Sequence, residues 1–330
     1  MRVIVLLLSF SMAGCQALRQ DMTPAPSLSF ALIGDNPYVE FNVPKYETMI
    51  DEINSTEGLS WLIHLGDVKS SGQSCSDEVL KARFEMNQRI DLPFIFTPGD
   101  NDWFDCHRKS AGGWDPIDRL SALRRIWFPD PRMTTGARPF EVVTQANSPA
   151  YSDFVENVYW SRDKVIFGTV HLVGITPGEG GIEIHEALMA AGLAWIEEIF
   201  EVADRMDANG VFLATQVDPY LATVFPGLLA SICPACPYVR PGYEALDEAL
   251  AQHARRFGKP VVLAVGDTHI FRVDKPLYDD SGLVENFTRV EVFGHPSVHW
   301  VRVVVEPDTD EVFQFRQELI EANYGVGWPE

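Results

Sequence analysis

The sequence predicts an α/β protein, and three observations lead there. Short apolar runs alternate with segments of helical periodicity between residues 30 and 100, and again between 165 and 267. Four of these runs lead into Gly-Asp: 30–33 before Gly34-Asp35, 61–63 before Gly66-Asp67, 94–96 before Gly99-Asp100 and 261–265 before Gly266-Asp267. Near the C-terminus, 288–292, 299–305 and 312–315 alternate apolar and polar residues, as antiparallel strands with one exposed face do.

The elements follow in order. The first strand closes at Asp35, and residues 46–54 then have helical spacing, with Tyr46, Met49, Ile50 and Ile53 apolar. The second strand closes at Asp67. Ser76-Asp77 is a helix start, and that pattern runs to Ile90. The third strand closes at Asp100. Such a β-α-β-α-β series calls for a parallel sheet with right-handed crossovers. Residues 103–159 are irregular and rich in Pro, Gly, Arg and Trp, with one helical piece at 117–127. A loop of that length is usually functional or a subdomain insert. A strand is predicted at 165–175, then a helix at 184–206 with Gly210 as its stop. Residues 211–215 form a strand leading to Gln216, and 243–257 a helix capped by Gly258, before the strand that closes at Asp267.

The bulk properties narrow the function. The chain has 330 residues, 46% of them hydrophobic, enough for a large core. Its formal net charge of -21 would repel phosphates, so no nucleic-acid binding surface is expected. At the N-terminus, Arg2 precedes an apolar stretch at 3–12 and the small residues Ala13 and Gly14, the pattern of a signal peptide over 1–14. Met12-Ala13-Gly14-Cys15 resembles the bacterial lipobox, with Met in place of the usual Leu. That resemblance implies cleavage before Cys15, a lipid on Cys15 as the sole membrane contact, a tether over 15–27 and one domain over 28–330. Periplasm or cell envelope is the expected location, and ordinary secretion with cleavage nearby is the alternative. The four remaining cysteines suit export. Cys75 and Cys106 each follow a Gly-Asp strand end closely and are predicted to bridge; Cys233-Pro-Ala-Cys236 reads as a small structural disulfide.

Ligands in open α/β sheets sit beyond the carboxyl ends of the strands. Asp35, Asp67, Asp100 and Asp267 are therefore expected to converge. Two carboxylates about 4 Å apart repel by roughly 4 kcal/mol at an effective dielectric near 20, so the cluster needs protons or cations. Metal ions are the expected answer at neutral pH.

The motifs Gly34-Asp35-Asn36-Pro37, Gly66-Asp67-Val68-Lys69-Ser70, Gly99-Asp100-Asn101-Asp102 and Gly266-Asp267-Thr268-His269 resemble, in order, those of the calcineurin-like metallophosphoesterases. The family pattern is D-x-H, G-D-x-x-D, G-N-H-[DE], a later His after a strand, and G-H-x-H. The resemblance spans residue 30 to about 305 and implies a β-sandwich flanked by helices, in α/β/β/α layers. On it, Asp35 and Asp67 match metal aspartates, while Pro37 replaces a histidine ligand and Ser70 an acid. Asp100 stands for the asparagine ligand, and Asn101 for the histidine that assists phosphoryl transfer. Asp102 matches that histidine's acidic partner. Gln216 replaces the penultimate histidine, Asp267 replaces the first histidine of the last motif, and His269 matches its second. The expected metal ligands are thus Asp35, Asp67, Asp100, Gln216, Asp267 and His269. Fewer imidazoles and more carboxylates favour Mn2+, Mg2+ or Ca2+ over zinc, with two ions expected. An amide at Asn101 cannot donate a proton to a leaving group as an imidazolium does, so His64 and His107 are the substitute acids to examine.

Lys69, Arg108, Arg272 and Lys275 are weaker candidates for holding phosphate, and Trp103 and Phe104 for lining a cleft. His295, His299, Tyr159 and Trp160 read as structural. The leading function is a metal-dependent phosphoesterase outside the cytoplasm, acting on a phosphorylated small molecule or phosphodiester. The alternative is a catalytically degenerate phosphoesterase fold serving as a metal- or ligand-binding envelope module. A third reading is an envelope scaffold whose carboxylates are protonated or paired with arginine.

Overall fold

The computed structural model describes residues 28–174, 181–220 and 239–325. The expected signal peptide, the tether and the Cys233/Cys236 pair lie outside the described residues. In the first sheet, β1 (Leu28–Ile33), β2 (Leu59–His64) and β3 (Pro93–Phe96) are parallel, as the β-α-β-α-β series requires. The remaining strands of that sheet are β4 (Thr135–Gly136), β14 (Trp300–Glu306) and β15 (Val312–Glu318), giving the order β15-β14-β1-β2-β3-β4. The second sheet contains β5 (Val143–Thr144), β6 (Val158–Arg162), β7 (Val165–Thr169), β8 (Gly210–Ala214), β9 (Val261–Val265), β10 (Arg272–Asp274) and β13 (Phe287–Glu291). Its order is β10-β13-β9-β8-β7-β6-β5, and β11 (Tyr278–Asp279) pairs with β12 (Gly282–Leu283) apart from it.

Side chains alternate across each strand, and both faces of β1 are buried. Phe30 and Leu32 face the second sheet, where Phe30 meets Phe167 and Phe212 edge-on at 5.7 and 5.1 Å. Ala31 and Ile33 face α1 (Val43–Ser55), whose Tyr46, Met49, Ile50 and Ile53 form the predicted apolar stripe. Across the sandwich, Trp195, Ile196 and Ile199 of α4 (Ile182–Arg205) and Leu250 and Ala254 of α5 (Glu244–Phe257) join the core that contains Ile166 and Val211 of the second sheet. The layers are therefore helix, sheet, sheet, helix, the architecture the resemblance implied.

The insert is tied down by two devices. Cys75 and Cys106 form the predicted disulfide, joining the lead into α2 (Asp77–Asn87) to the loop after Asp100. Arg124 of α3 (Pro116–Trp127) forks onto buried Glu156 at 3.0 and 2.6 Å. Glu156 accepts from His171 Nδ1 at 2.6 Å, and Trp103 Nε1 donates to His171 Nε2 at 3.1 Å. Burial pushes the Glu156 carboxyl up, but His171 and Arg124 outweigh it and pull it to about 2.

Two element predictions are corrected. Strand β13 pairs parallel with β9 and antiparallel with β10, not as one of a purely antiparallel set. Gly210 opens β8 rather than stopping α4, which ends at Arg205, two residues before the left-handed turn at Asp207 (φ 48°).

Candidate functional site

The four Gly-Asp motifs lie at the carboxyl ends of β1, β2, β3 and β9, so both sheets deliver aspartates. Asp35, Asp67 and Asp267 have left-handed backbones, with φ of 51°, 56° and 76°. Such conformations cost free energy in L-residues and concentrate at sites where the chain must aim a side chain. The glycines have a specific steric reason. A Cβ on Gly99 would lie 2.0 Å from Asp67 Oδ1, and one on Gly266 would lie 2.3 Å from Asp35 Oδ2. Each of these two motifs therefore leaves room for the carboxylate of another.

Asp35 and Asp67 meet at the Tyr38 hydroxyl. That hydroxyl donates to Asp67 Oδ2 at 2.7 Å and lies 3.3 Å from Asp35 Oδ1. It accepts from Asn101 Nδ2 at 3.0 Å and lies 3.2 Å from His269 Nε2. Asp67 Oδ2 also accepts from Asn101 Nδ2 at 2.7 Å and Gln216 Nε2 at 3.4 Å, and Oδ1 accepts the Asn101 backbone N–H at 3.0 Å. The Asp267 N–H reaches Asp35 Oδ1 at 3.2 Å, and Arg240 Nη1 donates to Asp267 Oδ2 at 2.8 Å.

Burial and mutual repulsion shape the electrostatics. Burial first, then neighbouring carboxylates, raise Asp35 and Asp67 well above the usual carboxylate range. Burial and Asp267 push Asp100 up to about 8. Burial raises Asp267 too, with Arg240 opposing the rise. Burial and the charges of Asp67 and Asp35 push the Tyr38 phenol well up, so it stays a hydrogen-bond donor.

The side chains do not fit a two-ion centre. The Tyr38 hydroxyl fills the gap between Asp35 and Asp67, and Asp67 Oδ2, the oxygen on that gap, takes three donors. Among the described residues, no three His, Cys, Asp or Glu side chains form a group that could hold a metal ion. Asp35 Oδ2 and Gln216 Oε1 are buried without a hydrogen-bond partner.

Of the remaining candidates, Asn101 and Asp102 are bonded to Asp67, and His64 and His107 are bonded to nearby backbone groups. His64 is sealed among Tyr46, Phe94 and Phe96; its Nδ1 accepts from the Gly66 N–H at 3.1 Å, and burial pulls it down to about 3. A neutral, enclosed ring of this kind is no proton donor to a leaving group. Asp102 braces the backbone. Its oxygens accept the backbone N–H groups of Gly99, Asp67 and Val68 at 2.8–2.9 Å, knotting two of the Gly-Asp loops together. His107 Nδ1 bonds the Phe104 carbonyl at 2.8 Å, back within its own turn. Asn101 lies in the centre, with its amide turned onto Asp67.

Lys69 is fully buried and donates to the carbonyls of Ser70, Gln73 and Asn101, so it does not reach out to a phosphate. Arg108 pairs with Asp105, Arg272 with Glu291, and Lys275 with carbonyls of Glu285 and Phe287. Trp103 and Phe104 are buried rather than lining a cleft. His295 contacts Asn42 and stacks on the Tyr38 ring at 5.6 Å, beside the centre, and His299 accepts from the Ile320 N–H. Trp160 is buried in the inter-sheet core, and Tyr159 is half-buried against Trp195. Tyr38 and Arg240 were missed. Tyr38 stands three residues after Asp35, in a strand-end loop that faces the site, and that placement was the available signal. Arg240, in a loop before α5, has no motif around it.

No family profile matches the chain, and no curated protein is recognisably similar to it. Among solved structures, it is similar to GAP50, the anchor in the inner membrane complex of Plasmodium, at 11% identity and a TM-score of 0.47, over 90% of both chains. It is similar to the Haemophilus influenzae NAD nucleotidase at 11% identity and a TM-score of 0.40, over 88% of this chain and 49% of that one. It is also similar to a 5'-nucleotidase precursor from Thermus thermophilus at 9% identity and a TM-score of 0.44, over 88% and 54%. The chain thus spans about half the length of the two nucleotidases. At such low identity and TM-score these likenesses transfer no activity, substrate or partner.

Proposed function

We propose that this chain is a catalytically degenerate phosphoesterase-fold module of the cell envelope, exported by its first 14 residues and lipid-anchored at Cys15. One observation carries the reading: the Tyr38 hydroxyl occupies the meeting point of Asp35 and Asp67, where a divalent ion would have to sit. The proton inventory agrees with it. Asn101 holds the position of the general acid with an amide already committed to Asp67, and His64 is enclosed. The test is hydrolysis of an aryl phosphate and a phosphodiester by the mature protein, with Mn2+, Mg2+ or Zn2+ supplied. The expected result is no turnover above the protein-free rate. Metal-stimulated turnover that Asp67→Asn abolishes would overturn the reading.

A specific observation favours a second reading, the metal-dependent phosphoesterase with Asp35, Asp67, Asp100, Gln216, Asp267 and His269 as ligands. His269 Nδ1 donates to the His295 carbonyl at 2.7 Å, which leaves the Nε2 lone pair toward the centre, as in metal-ligating histidines. The same assay separates the two.

A further inference from the structure

We propose that Tyr38 and Arg240 take the place of divalent ions in this site: the neutral phenol holds Asp35 and Asp67 together by hydrogen bonding, and the guanidinium neutralises Asp267. The inference deepens the non-hydrolytic reading and rests on it. Four aspartates at strand ends need a counter-charge or protons, because each pair near 4 Å repels by roughly 4 kcal/mol at an effective dielectric near 20.

The two residues divide Asp35, Asp67 and Asp267 between them, and neither is hydrogen-bonded to the Asp100 carboxyl. Tyr38 comes from the β1 side, donates to Asp67 Oδ2 at 2.7 Å and lies 3.3 Å from Asp35 Oδ1. Arg240 comes from the loop before α5 and donates to Asp267 Oδ2 at 2.8 Å. Its backbone N–H is fixed on the Pro219 carbonyl at 2.7 Å, and its guanidinium packs over Gly174, where a Cβ would come within 2.9 Å of it. The backbone around Arg240 is thus shaped to bring a cation to this carboxylate. An arginine stays charged at every physiological pH and is less strongly hydrated than an ammonium, which suits a half-buried position. Two buried oxygens of the centre, Asp35 Oδ2 and Gln216 Oε1, remain without a donor. Removing either substitute leaves lone pairs that a divalent ion would satisfy.

The experiment uses the mature wild-type protein and three variants: Arg240→Met, Arg240→Lys and Tyr38→Phe. Mn2+ binding is followed by electron paramagnetic resonance of the free ion, and Tm is measured with and without Mn2+. Wild type and Arg240→Lys are expected to bind no stoichiometric Mn2+ and to show no Mn2+-dependent rise in Tm. Arg240→Met is expected to melt lower, to recover on adding Mn2+, and to bind Mn2+ at least about tenfold more tightly than wild type. Tyr38→Phe, which removes one oxygen, is expected to gain affinity in the same way and serves alone if Arg240→Met does not fold. Tight Mn2+ binding by the wild type overturns the inference, as does the absence of any gain in both Arg240→Met and Tyr38→Phe. Mn2+ binding by the wild type without turnover sinks the inference alone, whereas turnover by the Mn2+-loaded wild type sinks the non-hydrolytic reading as well, so the two failures are distinguishable.

Discussion

Gly99 and Gly266 set the tightest steric limits in the centre, because each faces a carboxylate from another strand end. Gly99→Ala places a methyl 2.0 Å from Asp67 Oδ1, with Asp67 already held by Tyr38 and Asn101. The expected loss is about 1–3 kcal/mol of stability, read by urea denaturation. His64 offers a pH test. Its native form stays neutral down to about 3, whereas the unfolded ring takes a proton near 6.5. The unfolded state therefore binds more protons between those values, and stability falls as pH drops through that window. His64→Phe should flatten this part of the acid limb, at a cost of about 1–3 kcal/mol for the Gly66 N–H left without its acceptor. An unchanged pH profile would show that other groups set the limb. At this scale the sequence revealed the aspartates, since Gly-Asp after an apolar run has a steric logic of its own. It did not reveal Tyr38 or Arg240, because a phenol or guanidinium aimed at a carboxylate leaves no periodic trace. The role of Asp102 was equally hidden: motif position cannot distinguish an acid that binds backbone N–H groups from one that does chemistry.

Among the elements, the insert depends on its two attachments. The Cys75–Cys106 bridge closes a loop of sequence separation 31. On a chain-entropy estimate, replacing both cysteines with serine removes about 3–4 kcal/mol of stability, measurable by urea denaturation. Glu156→Gln should be as severe, about 3–5 kcal/mol, because it strips Arg124 and His171 of their shared buried anion. The placement of most helices and strands was legible, since Tyr46, Met49, Ile50 and Ile53 can share a face only in a helix. Strand partners were less so. The alternation in β13 records which faces are covered, not the direction of its neighbour β9, which is fixed by a chain connection far from the strand.

For the whole molecule, the formal charge of -21 is the dominant electrostatic fact. Self-repulsion of that size destabilises the compact state and is screened by salt. Tm should rise as NaCl goes from about 0.01 M to about 1 M, where the Debye length shrinks roughly tenfold. A Tm that falls over this range would mean that ion pairs such as Arg289–Asp218 and Arg124–Glu156 outweigh the repulsion.

The origin of the aspartates in different layers has a mechanical consequence. Asp35 and Asp67 end strands of one sheet and Asp267 ends a strand of the other, yet the Asp267 N–H is bonded directly to Asp35. Slippage of one layer over the other would pull that link apart, so this end of the sandwich should open as one event. Amides at the tips of β1 and β9 are therefore expected to exchange with deuterium at a common rate, and severing the clasp should release both together.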